Sequence, residues 1–104
     1  MKISATIITL NEERNIGRCI ESLKAVADEI IVLDSFSTDR TEEICHKAGV
    51  RFEKRVWAGY SASKNYLNGL ATNEYILSID ADEALDETLS SRILEIKNTA
   101  DPQI

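Results

Sequence analysis

Proline occurs once, at Pro102, and glycine four times in 104 residues. With so few breakers there is no linker, no low-complexity tract and no internal repeat, so the chain reads as a single domain over residues 1–104. Cysteine is nearly as scarce. Cys19 and Cys45 fall in step with apolar neighbours on helical stretches, outside any CxxC pair. They are expected as small buried hydrophobes, which excludes a disulfide framework or structural zinc and suits a reducing cytoplasm. Long apolar runs are missing too. "MKISATIITLNEE" is neither a signal peptide nor long enough to span a membrane. Positive charge is in deficit, the net being −6, so nonspecific binding to nucleic acid or anionic lipid is not expected. The chain also lacks GxGxxG, GxxxxGK[ST] and GxSxG, which sets aside a glycine-type dinucleotide fold, a P-loop and a nucleophile elbow.

What is present is a core and an alternating pattern. Hydrophobic residues make up 43% of the chain. "ISATIITL" (3–10), "EIIVLD" (29–34) and "EYILSID" (74–80) are apolar on both faces and read as buried strands; "VRFEKRV" (50–56) alternates and suits a sheet edge. Between them lie helical stripes. The first is Ile16, Cys19, Ile20 and Leu23, with Asn15 as cap. The next is Ile44, Cys45 and Ala48, opened by an Asp39–Glu42 capping box and stopped by Gly49. A short helix with Tyr66, Leu67 and Leu70 inward follows. Leu85, Leu89, Ile93 and Ile96 stripe a last helix starting near Asp86. The order βαβαβαβα predicts a Rossmann-like α/β layer: a mainly parallel four-stranded sheet with helices on both faces.

In such sheets ligands sit beyond the carboxyl ends of the strands. Thr9, Asn11, Glu12 and Glu13 follow the first strand, and Asp34, Ser35, Ser37, Thr38 and Asp39 the second. Trp57, Gly59 and Tyr60 follow the third, and Asp80, Asp82 and Glu83 the fourth. Turn chemistry alone accounts for some of these: Asp39 suits a helix cap, Thr9 a strand end, Glu12 and Glu13 a solvated loop, and Lys64 an exposed helix face. Trp57 is expected to pack, Tyr60 to pack or to cover a ligand, and His46 to lie at the surface. The Asp-Ala-Asp-Glu run is harder to explain as a turn. Its carboxylates repel one another, and a hard divalent cation shared with phosphate oxygens would relieve that; the other reading is a solvated acidic turn.

"ATIITLNEERNIGRCIESL", "IIVLDSFSTDRT" and "NEYILSIDADE" together resemble the nucleotide-sugar-binding half of family 2 inverting glycosyltransferases of the GT-A fold. The pattern looks most like bacterial enzymes of lipopolysaccharide-core and surface-glycan synthesis, and it covers essentially the whole chain. The resemblance implies a nucleotide-binding set of Thr9, Leu10, Asn11, Glu12, Asp34, Ser35, Lys64, Asp80 and Ala81. It implies a DxD pair, Asp80 and Asp82, holding Mn²⁺ or Mg²⁺ on the diphosphate of a sugar donor, a UDP-sugar by family habit. Serine at position 35 replaces the acid or amide many relatives carry there. No general base matches within the chain; the base and the pocket for a glycan or lipid-linked acceptor are expected beyond Ile104, in a longer protein at the inner face of the membrane. The other readings are a noncatalytic nucleotide-binding or assembly module, self-associating through an exposed sheet edge, and a nucleotidyltransferase.

Overall fold

The computed structural model describes residues 1–99. Strands and helices alternate as β1 (Ile3–Thr9), α1 (Ile16–Leu23), β2 (Glu29–Asp34), α2 (Thr41–Ala48), β3 (Arg51–Lys54), α3 (Tyr60–Leu70), β4 (Tyr75–Asp80) and α4 (Glu87–Thr99). All pairings are parallel and the strand order is β3-β2-β1-β4. The expected α/β layer is therefore what forms. Order reverses at β1, whose neighbours are β2 on one side and β4 on the other. The loops after β1 and β4 leave the sheet side by side, Ile8 facing Asp80 in register.

Side-chain alternation sends Ala5, Ile7 and Val32 to one face, where the α1 stripe Ile16, Cys19, Ile20 and Leu23 closes over them with Cys45 of α2. All four residues of that stripe are fully buried. Each buried isoleucine or leucine contributes about 1.5–3 kcal/mol. The opposite face is built from Ile31 and Leu33 against Leu67 of α3, with Tyr66 and Leu70 half-buried beside them. The segment leading into α4 is tied to α1 by the Leu85 N–H donated to Ser22 Oγ at 2.9 Å. Near its C-terminus Lys97 Nζ donates to Val26 O at 2.9 Å and to Asp28 at 2.6 Å. That pair, with the Ile3 N–H, holds the Asp28 carboxyl below its ordinary range. α1 and α2 thus cover one face and α3 the other, while among the described residues no α4 side chain enters either core cluster.

This asymmetry overturns several local expectations. β4 reads as a buried strand, yet it lies at an edge, and α3 packs on β1 and β2. Leu77 and Ile79 face the first core, while Tyr75 and Ile76 are each 41% exposed. The last helical stripe also splits: Leu85 joins the core, but Leu89 and Ile96 stay exposed. Asn15 does not cap α1; its amide donates to Glu12 Oε2 instead. Only half of the Asp39–Glu42 box forms. Asp39 accepts the Thr41 N–H at 2.9 Å, while Glu42 turns to Lys54 and His46. Gly49 closes α2 with φ +75°, a left-handed conformation that a side chain would strain. β3 is only four residues long and lies at the other edge. Among the described residues no helix is long and apolar enough to cross a membrane.

Candidate functional site

A cleft of about 570 Å³ opens at the carboxyl rim of the sheet, where strand order reverses. β1 and its loop supply Ile8, Thr9, Leu10 and Glu12, and the β2 end supplies Ser35. Trp57 and Tyr60 come from the β3–α3 connection, and Asp80, Ala81 and Asp82 from the end of β4. A second cleft of about 500 Å³ lies at the opposite rim, but its carboxylates are already used: Asp28 pairs with Lys97, and Glu29 accepts from Ser4 and the Thr72 N–H.

Thr9 ends the central strand and is 2% exposed. Its Oγ1 is the one buried side-chain polar atom without a hydrogen-bond partner among the described residues. A buried hydroxyl left unpaired costs about 1–3 kcal/mol, so one lining a cleft marks a place for a ligand atom. Leu10 is 52% exposed on the rim.

The loops after β1 and β2 are laced together. Asn11 Oδ1 accepts the N–H groups of Thr38 (2.8 Å) and Asp39 (3.3 Å), while Asn11 N–H donates to Ser37 Oγ at 2.8 Å. Glu12 N–H donates to Thr41 Oγ1 at 2.9 Å and Glu13 N–H to Asp39 at 3.1 Å. Burial would raise the Asp39 pKa, but hydrogen bonds from Thr41 and Glu13 outweigh it and hold the carboxyl below its ordinary range. Asn11 sits at φ +52°, which asparagine tolerates, and Phe36 at φ +61°, which a bulky residue rarely adopts.

Asp34 is completely buried, and both its carboxylate oxygens are taken by Ser37, through Ser37 N–H (2.8 Å) and Ser37 Oγ. It lies beneath the loop and does not line the cleft; Asn11 likewise faces the neighbouring loop. Lys64 turns its ammonium over the Tyr60 ring, 5.2 Å from the centroid, and does not line the cleft either. Thr9, Leu10, Glu12, Ser35, Asp80, Ala81 and Asp82 are brought together.

Trp57 differs from its expectation. It is 50% exposed, packs edge-on to Tyr60 with centroids 6.4 Å apart, and forms a wall of the cleft. Its position after the third strand was the available signal, and nothing in the sequence told a wall from a packing residue. Tyr60 Oη donates to Asp80 Oδ1 at 3.3 Å. Among the described residues no three His, Cys, Asp or Glu side chains gather closely enough to hold a cation by themselves. Burial, then the charges of Glu83, Asp80 and Asp82, push the Cys19 thiol up to about 11, so it is no nucleophile.

A model of glycosyl transferase family 2 matches residues 4–102. The chain belongs to that family. It is 45% identical over 92 residues to an uncharacterised glycosyltransferase of Rickettsia conorii, covering 88% of this chain and 33% of the relative. It is 39% identical over 106 residues to the lipopolysaccharide core biosynthesis glycosyltransferase LpsC of Rhizobium meliloti, covering 97% and 39%. Glucosyl-3-phosphoglycerate synthase from Mycobacterium tuberculosis, solved with Mn²⁺, UDP and glucosyl-3-phosphoglycerate, superposes with a TM-score of 0.70 at 28% identity. That match covers 80% of this chain and 35% of the synthase. The chain thus spans about a third of the length of the family 2 relatives it matches.

Proposed function

We propose that residues 1–104 form one domain that binds the nucleotide-sugar donor of an inverting glycosyltransferase, a UDP-sugar, with a divalent cation between the protein and the diphosphate. The observation that carries this reading is the convergence of Thr9, Glu12, Asp80 and Asp82 on one cleft at the strand-order reversal. The synthase solved with UDP and Mn²⁺ supports it. The donor set fits a shared cation. Two carboxylates without a third protein ligand suit Mg²⁺ or Mn²⁺ completed by phosphate oxygens and water, and do not suit a closed protein cage. Asp80 and Asp82 would hold the ion, whose charge would stabilise the diphosphate as it leaves.

The chain's own residues do the rest of the binding. Thr9 Oγ1 offers a hydrogen bond to the nucleoside from the floor of the cleft. Trp57 and Tyr60 shield one side from water. The general base and the acceptor pocket, for a glycan or lipid-linked sugar, belong in this reading to the remainder of a protein of the relatives' length. Titration calorimetry with UDP, with Mn²⁺ and after its removal by EDTA, is the test. Metal-supported binding is expected, falling on the order of a hundredfold in Asp82→Ala. Equal affinity with and without metal would overturn the reading.

One observation favours a second role. The exposed β4 edge, with Tyr75 and Ile76 at its start, is suited to pair with another copy. Sizing chromatography across a concentration series checks this, and a monomer at every concentration rejects it.

A further inference from the structure

Resting on that reading, we infer that Tyr60 and Glu83 are positioning residues for Asp80, dividing the acidic segment into one fixed carboxylate and one free one. Tyr60 Oη donates to Asp80 Oδ1 at 3.3 Å, and among the described residues nothing hydrogen-bonds Oδ2. The aspartate therefore presents a single oxygen in a set direction. Tyr60 is itself held on two sides, by the Trp57 ring edge and by the Lys64 ammonium over its face.

Glu83 fixes the backbone of the same residue. Its Oε1 accepts the Asp80 N–H at 3.0 Å, and its own N–H donates to Asp80 O at 2.9 Å. The third acid of the run is thereby committed to the first, and it does not line the cleft. Asp82 makes no hydrogen bond or ion pair among the described residues and stands exposed at the cleft wall. Partners that orient a ligating side chain change metal affinity by about 10–100-fold although they never touch the ion. Here they determine which of three neighbouring carboxylates act as ligands.

The experiment uses the whole chain and two readouts: UDP calorimetry, and the electron paramagnetic resonance signal of free Mn²⁺. Tyr60→Phe keeps the ring and its packing and removes only the O–H. Its Mn²⁺-supported UDP affinity is expected to fall about tenfold. Its melting temperature in EDTA is expected to stay where it was. Glu83→Ala should weaken Mn²⁺-supported binding in the same way. Glu83→Gln should restore it, because an amide oxygen still accepts the Asp80 N–H, whereas a ligating Glu83 would not be rescued by the amide. Metal-supported binding that Tyr60→Phe leaves unchanged, or a Glu83→Gln as weak as Glu83→Ala, overturns the inference alone. UDP binding by the unaltered chain that ignores metal overturns the functional reading, and this inference with it.

Discussion

On one side of the cleft the loops after β1 and β2 are joined by hydrogen bonds between side chains and backbone, over a buried carboxylate that does not line the cleft. On the other side the end of β4 stands at an edge of the sheet, with Asp80 and Asp82 exposed. The first wall is rigid because its polar groups satisfy one another: Asp34 with Ser37, Asn11 with Thr38 and Asp39, Thr41 with Glu12. The second leaves one carboxylate free and restrains the other from behind. If the cleft takes a nucleotide and a hydrated cation, as proposed, it needs both kinds of wall. Preorganisation would lower the ordering cost of binding the nucleoside, and exposure would keep the carboxylates solvated until an ion bound.

The largest expected effect separates the walls by stability. Asp34→Ala leaves the half-buried Ser37 N–H and Oγ without their charged acceptor, a loss of about 3 kcal/mol, read as a lower midpoint in urea. Asp82→Ala, on the exposed side, is expected to melt like the parent in EDTA while losing metal-supported UDP binding. If both variants lost stability equally, the division between a structural and a ligating wall would fail. If Asp34→Ala kept its stability and lost only UDP affinity, Asp34 would be a contact to the base.

How far this was legible depends on what fixed each residue. β1, β2 and the α1 stripe were readable because β-branched runs and i, i+3, i+4, i+7 spacing decide burial locally. The edge position of β4 was not, since "YILSID" carries the same apolar signal whether or not another strand lies beside it, and only pairing decides. The rim as a meeting place followed from topology. Which way Asp34 points did not, because Ser37 three residues on competes for its carboxylate with any ligand, and sequence does not rank the two. Lys64 was displaced from the cleft in the same manner, by the Tyr60 ring one helical turn away. The role of Glu83 in the acidic run was not legible, because composition cannot show a side chain folded back on a neighbouring backbone.

An intermediate effect sharpens the rigid wall by pH. Burial, reinforced by the nearby Asp34 charge, pushes the Cys45 thiol from 9.0 up to about 12. The folded state therefore favours the neutral thiol. That contribution is complete below pH 9 and is lost as pH rises through the window from 9 to about 12, because the unfolded chain ionises first. At pH 10 the loss is about 1 kcal/mol for this one thiol. Urea denaturation at pH 8 and pH 10 is the measurement, with Cys45→Ala expected to show a correspondingly smaller drop between the two. An identical drop in both proteins would mean that the thiol is not held neutral behind this wall.

The smallest expected effect on stability falls at Thr9, where the two walls meet. Threonine and valine have nearly the same shape, so Thr9→Val replaces an unpartnered buried hydroxyl by a methyl group. Removing an unsatisfied polar atom from an enclosed place is neutral or stabilising, by about 1 kcal/mol at most. If the hydroxyl bonds the nucleoside, UDP affinity moves the other way and falls several-fold. Opposite signs for stability and affinity would identify Thr9 as a residue kept at a cost to the free protein for the sake of the ligand. A Thr9→Val protein that bound UDP as the parent does would leave the unpaired hydroxyl a packing accident at a strand end, and the nucleoside would then be held by the loops alone.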